Sequence, residues 1–208
     1  MINNSEKGTK IVTYGALGTF FETVLDQYKT YCDFASKKFS TEGLEAEEII
    51  RLGKRQSDTI EISNIFTGMF LEAFIFDYAA RKESINYAET YLDKLDPVSK
   101  WVVITRLFNS QGLNVGGKAV QGIKKAFKIR NNLAHNKSKK FPDSTDVDKV
   151  MEFFEKQAPE RLTPPECVEI IQSVLEELAN IDKNEVYALQ LLDKIKKTLK
   201  SYPMPAQT

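Results

Sequence analysis

The sequence predicts an all-α protein, and three observations carry that prediction. Apolar residues recur near every 3.6 positions along most of the 208 residues. No stretch alternates apolar and polar residues with the two-residue period of a strand. Helix-start signals stand where new periodic runs begin, at Ser84, at Asp96-Pro97 and at Thr163-Pro-Pro-Glu166.

The elements follow in order. Leu17, Phe20, Phe21, Val24, Leu25, Tyr28, Tyr31, Cys32 and Ala35 give a helix within Gly15 to Phe39. A short acidic helical segment is expected from Leu44 to Lys54. Asp58 to Arg81 reads as a long, mostly apolar central helix. Ser84 caps Ile85 to Leu95, and Asp96 caps a helix that begins at Pro97 and ends near Asn109. Ser110 to Gly117 is rich in Gly, Asn and Gln and predicts a loop. A basic helix then runs from Lys118 to His135, and a loop from Lys137 to Ser144 is broken by Pro142. Thr145 caps a helix to about Gln157, Thr163 opens a capping box before a helix to Ile181, and Asn184 to Tyr202 forms the last. The expected organisation is one helical domain over 12–140, with a C-terminal helical extension over 141–208 packed on it.

Composition narrows the chemistry. Cys32 and Cys167 fit no zinc spacing, and one histidine cannot complete a metal centre, so both thiols read as small buried hydrophobes and no metal or cofactor is expected. No basic-then-apolar start suggests a signal peptide, so none is expected. The most apolar run, Ile65 to Phe76, is too short to span a bilayer and contains Glu72. A soluble, cytoplasmic protein is expected, with no membrane partner.

The net charge of zero hides an asymmetry. From Pro97 to Phe141 there are ten Lys and Arg residues and no Asp or Glu, which leaves the rest of the chain with 19 basic against 29 acidic residues, a net −10. Such a segment is either an anion-binding face or the partner of acidic helices in the same chain. The sequence admits both.

Two charged residues fall on apolar stripes. Glu72 shares one with Ile65, Met69 and Phe76, and Arg130 shares another with Val120, Ile123, Phe127 and Ala134. A buried lone charge costs several kcal/mol, so the two are expected to form a structural ion pair with each other. The opposite face of the basic helix carries Lys124, Lys128, Asn131 and His135, and predicts a solvent-accessible histidine.

Arg130-Asn131-Asn132-Leu133-Ala134-His135 resembles the R-x4-6-H signature of HEPN domains in its RNxxxH form. The run FLEAFIFDYA, Phe70 to Ala79, resembles the glutamate-bearing central helix of that family, and DPVSKWVVITRLF followed by KKAFKIRNNLAHNK resembles a subset of small bacterial members. The resemblance covers roughly residues 12–140 and implies a HEPN-like helical bundle that dimerises, with the motif lining a cleft at the dimer interface. It further implies a metal-independent endoribonuclease of the toxin–antitoxin or antiphage-defence kind, or a relative that has lost catalysis and binds RNA or a protein. Toxin members often pair with a small nucleotidyltransferase antitoxin. Carried onto this chain, His135 would be the general acid/base, Arg130 would stabilise the phosphorane-like transition state, and Asn131 would orient the phosphate or the imidazole. Lys124, Lys128, Lys137, Lys139 and Lys140 would hold the RNA backbone by charge.

Overall fold

The computed structural model describes residues 16–36, 45–135 and 160–204. All regular structure among them is helical: α1 (Leu17–Ser36), α2 (Ala46–Lys82), α3 (Ile85–Tyr87), α4 (Pro97–Phe108), α5 (Lys118–Ala134), α6 (Pro164–Ile181) and α7 (Val186–Ser201). A single π-type turn, Ala88–Leu92, continues α3. The predicted helix from Thr145 and the loop from Lys137 to Ser144 lie outside the described residues.

The caps form as the sequence directs. Asp96 accepts from Val98 N and Ser99 N, each at 3.1 Å, with Pro97 in the first turn. Ser84 accepts from Tyr87 N at 3.1 Å. Thr163 and Glu166 complete a reciprocal capping box at the start of α6.

α2 is the central element and is packed by α1, α4, α5 and α6. Phe70, Leu71, Phe74, Ile75 and Tyr78 are all buried along it. Phe74 stacks on Trp101 of α4 at 5.9 Å and on Tyr187 of α7 at 6.0 Å, so one ring joins the central helix to α4 and to the last helix. Gly122 of α5 lets α6 approach closely, since a β-carbon there would meet Ile170 Cγ1 at 3.1 Å. Ile171, Val174, Leu175 and Leu178 of α6 belong to the same hydrophobic cluster as the core of α1, α2, α4 and α5. The core therefore does not divide near residue 140. The C-terminal helices help to build it.

α2 departs from the expected boundaries. It starts at Ala46, so the acidic segment from Leu44 to Lys54 and the central helix are one 37-residue helix. Gly53 does not interrupt it. A lone glycine costs a helix about 1 kcal/mol, and the surrounding Glu, Lys, Arg and Gln are good helix formers. The first turns are mostly exposed, so packing supplies no signal there.

The face of α2 also differs. Ile65, Met69, Glu72 and Phe76 are half-buried, whereas Thr59, Ser63, Asn64 and Thr67 are fully buried. Most of these polar side chains are satisfied locally. Thr59 donates to Arg55 O and Ser63 to Thr59 O, both at 2.9 Å. Asn64 donates to Ile60 O and Leu162 O and accepts from Leu162 N, which ties α2 to the lead-in of α6. A hydroxyl or amide that bonds a nearby carbonyl can occupy a core face at little cost.

Among the described residues α2 is also long and apolar enough to cross a membrane by length and composition, which the run Ile65 to Phe76 alone is not. Half of its most apolar window is buried inside the fold, and the core helix of a soluble protein passes the same test.

Both cysteines are free and buried. Burial pushes the Cys167 thiol up to about 12, so it stays protonated near neutrality.

Candidate functional site

The motif sits at the C-terminal end of α5. Val120, Ile123 and Phe127 bury one face of that helix, Arg130 is half-buried one turn further, and Ala134 is exposed. The stem of Arg130 crosses α2 at Gly68, where a β-carbon would lie 3.0 Å from Arg130 Cγ and 3.1 Å from its Cβ. The guanidinium stands 5.2 Å from the centre of the Phe127 ring. Its Nη2 donates to Glu72 Oε2 at 2.8 Å.

The expected pair is therefore present, in a setting unlike the one expected. The Glu72 side chain keeps 40% of its exposure and that of Arg130 keeps 22%. Glu72 lies at the border of the core rather than inside it. The contact is also single: Arg130 Nε is buried without a hydrogen-bond partner, so the fork does not grip the carboxylate with both arms.

The other Glu72 oxygen faces a lysine. Lys100 Nζ of α4 lies 3.8 Å from Glu72 Oε1 and 2.6 Å from Asp93 Oδ1, just after the π-type turn. The Lys100 side chain is 4% exposed, the most buried cation of the basic segment among the described residues. Asp93, Lys100, Glu72 and Arg130 thus form an alternating chain of charges that joins α2, α4, α5 and the connection before α4.

His135 is the C-cap of α5 and leaves helical geometry there, at φ −111° and ψ 24°. Its backbone N–H still bonds Asn131 O at 2.9 Å, so the helix does not fray before the histidine. Lys124, Lys128, Asn131 and His135 are all exposed along one face. Five residues of helix turn the chain by about 140° relative to the starting direction. Arg130 therefore leans onto α2 while His135 stands in solvent.

Much of the basic segment is balanced from within the chain. Lys118 pairs with Glu169 at 2.5 Å, Lys125 with Glu166 at 3.6 Å and Lys128 with Glu160 at 2.9 Å. Hydrogen bonding and charge from Lys128 hold Glu160 below the ordinary glutamate range. The partners lie on α6 and its lead-in, which is the second of the two outcomes the charge asymmetry allowed. These pairs are well exposed and so contribute little and exchange readily. Lys124 makes no ion pair among the described residues. Lys137, Lys139 and Lys140 lie outside them.

No protein-family model, curated protein or solved structure matches this chain. The site thus rests on its own geometry. The structure brings Glu72 and Arg130 together and lines up Lys124, Lys128, Asn131 and His135, but it does not bring Arg130 and His135 onto one face. Sequence reasoning missed Gly68 and Lys100. Lys100 carried a readable signal, because it stands beside Trp101 and four residues before Ile104, on the buried side of α4. Gly68 carried none until the partner helix was in place.

Proposed function

We propose that the chain is a HEPN-like endoribonuclease that cuts single-stranded RNA without a metal, acting as a two-fold dimer. The observation that carries this reading is His135, exposed at the end of a basic helix, with Asn131 one turn behind it and a half-buried arginine in the same turn. In this reaction the 2′-oxygen of the RNA attacks the adjacent phosphorus and loses its proton to an imidazole. The bond from phosphorus to the 5′-oxygen breaks, and that oxygen takes a proton. The products are a 2′,3′-cyclic phosphate and a 5′-hydroxyl. One imidazole per chain serves poorly as both base and acid, and a two-fold dimer supplies two. Because Arg130 and His135 of one chain lie on different faces, the reading needs the two-fold cleft to bring Arg130 to the phosphorus oxygens, where it neutralises the developing charge while Asn131 orients the phosphate. Lys124 and Lys128, followed by Lys137, Lys139 and Lys140, hold the backbone. A toxin or antiphage-defence role, in the cytoplasm and with an antitoxin protein as partner, goes with this reading.

A second reading is favoured by one observation, the 2.8 Å contact of Arg130 with Glu72. An arginine that never leaves its carboxylate is structural, and the same fold is then a non-catalytic module that binds RNA or a protein on its basic face. The first reading stands because the pair borders solvent and Glu72 is met by Nη2 alone, so the guanidinium can meet a phosphate while that contact is kept.

The test is incubation of the purified full chain with mixed-sequence single-stranded RNA in EDTA. Cleavage to cyclic-phosphate ends, abolished when the RNA carries 2′-deoxy sugars, is the expected result. Intact RNA after prolonged incubation, together with measurable RNA binding, would establish the binding module instead.

A further inference from the structure

Lys100 has a surrounding that a surface lysine does not need. Its side chain is 4% exposed, and its ammonium is held between Asp93 at 2.6 Å and Glu72 at 3.8 Å. A buried ammonium is costly unless it is paired, and Asp93 alone would pair it. The second carboxylate is what gives Lys100 a consequence beyond its own stability. Glu72 is 40% exposed and sits on a side chain with three rotatable bonds, so contact with Arg130 alone leaves it free to swing into water. Lys100 adds a fixed positive charge on its other oxygen.

The order of burial gives the direction of control. Lys100 is nearly closed off, Arg130 is 22% exposed and Glu72 is 40% exposed. The rigid member is therefore the lysine, and the mobile member is the glutamate between the two cations. Arg130 has few other anchors. Its Nε is buried without a hydrogen-bond partner, its stem rests on Gly68, and its guanidinium stands beside the face of Phe127. The direction of its Nη2 is set by Glu72.

We propose that Lys100 is a positioning residue for Arg130, acting through Glu72, in the site assigned above. The proposal rests on the ribonuclease reading for its effect on rate, but not for its effect on the arginine itself. Lys100 touches no substrate. It fixes the carboxylate that aims the guanidinium at the phosphate.

Four full-length proteins test this: wild type, Lys100→Met, Glu72→Gln and the double variant. Two readouts are taken on each, RNA cleavage in EDTA and the side-chain Nε–Hε resonance of Arg130, assigned by its loss in Arg130→Lys. Lys100→Met should lower kcat by about 10- to 100-fold with KM changed by less than about twofold, because a misplaced transition-state group costs rate rather than binding. The Arg130 resonance should move toward the position of a free arginine. Glu72→Gln should do the same, and adding Lys100→Met to it should cause no further loss, since both act through one carboxylate. If Lys100→Met does not fold, Asp93→Asn replaces it. Asp93 is 55% exposed, and its loss loosens Lys100 without opening the core, so a smaller change in the same direction is expected. A folded variant with an unmoved Arg130 resonance overturns the proposal, whether or not RNA is cut. If wild type cuts no RNA and the resonance still moves in both single variants, the ribonuclease reading fails while the positioning of Arg130 stands.

Discussion

The stem of Arg130 lies across Gly68, so close that a β-carbon on that glycine would stand 3.0 Å from Arg130 Cγ. The contact is with the middle of the side chain, so the arginine must shift bodily to admit a methyl group. Gly68→Ala gains about 1 kcal/mol of helix propensity. It loses an ion pair of comparable size, about 1 kcal/mol at partial exposure. The two nearly cancel, so urea unfolding should give a stability within about 1 kcal/mol of wild type. RNA cleavage and the Arg130 resonance should nevertheless change. An unchanged resonance would mean that the arginine slides past the methyl group at no cost.

Glu72→Ala probes the same junction from the other side. A fully buried pair would lose about 3–5 kcal/mol on removal of one partner, and an exposed one less than about 1. Glu72 keeps 40% of its exposure, while Arg130 keeps 22% and Lys100 retains Asp93. The expected loss is therefore about 1–2 kcal/mol in urea unfolding. A loss above about 3 would mean that the arginine is far less hydrated than its position implies.

Acid should weaken the fold through Asp182 and Glu166. Burial alone would raise the Asp182 carboxyl, but Lys82 at 2.5 Å, the Tyr78 hydroxyl at 2.9 Å and the Asn184 N–H outweigh it and hold it below 3.8. Glu166 is likewise partly desolvated, and the Thr163 backbone and hydroxyl together with Lys125 hold it below 4.5. A depressed folded pKa means that the unfolded chain takes up protons first as pH falls. The stability these groups contribute is present above the unfolded values and is lost as pH drops through them toward the folded ones. Tm measured by calorimetry should therefore be nearly level between about pH 7 and 5 and fall below about pH 4.5. Asp182→Asn should lower Tm at pH 7 and flatten the acid limb. An acid limb as steep as wild type would remove Asp182 from this account.

The fold was more legible in the sequence than the site. Asp96-Pro97 and Thr163-Pro-Pro-Glu166 mark helix starts through local chemistry, so their caps could be read without a partner helix. The merger of residues 44–54 with the central helix could not, because one glycine and a run of exposed charges look like a break when no packing is visible. The face of α2 was misread for a related reason. Ser63, Asn64 and Thr67 count as polar in a periodicity argument, yet Ser63 and Asn64 satisfy themselves on backbone carbonyls and all three are buried. The Glu72–Arg130 contact was found from a stripe that proved half-exposed, and it survives because an ion pair at the border of a core is as natural as one inside. The partners of Lys118, Lys125 and Lys128 were hidden, because they lie 32 to 51 residues away, on α6 and its lead-in.

The two-fold dimer makes its own prediction. Light scattering of the full chain at tens of micromolar should give about twice the chain mass of 23.7 kDa. A monomeric mass at that concentration leaves one imidazole per active particle, and the acid-and-base division proposed for His135 then fails.

His135 and Arg130 should separate cleanly on substitution. His135 is exposed, and its only described hydrogen bond is from its backbone N–H to Asn131 O, which alanine retains. Surface substitutions of this kind change stability by less than about 0.5 kcal/mol, so His135→Ala should leave Tm nearly unchanged. A general acid/base contributes about 10²- to 10⁴-fold in rate, so the same variant should lose cutting by that factor. Arg130→Ala removes the stem over Gly68, the contact with Phe127 and the partner of Glu72 together, and should lower both stability and rate. The measurement is a paired one, calorimetric Tm and the initial rate of RNA cleavage on both variants. If His135→Ala folds and cuts at the wild-type rate, this site does not perform the chemistry. If it unfolds, the histidine holds α5 in a way its exposure does not suggest. If Arg130→Ala loses stability while keeping full rate, the arginine belongs to the fold alone, and the pair with Glu72 is its entire role.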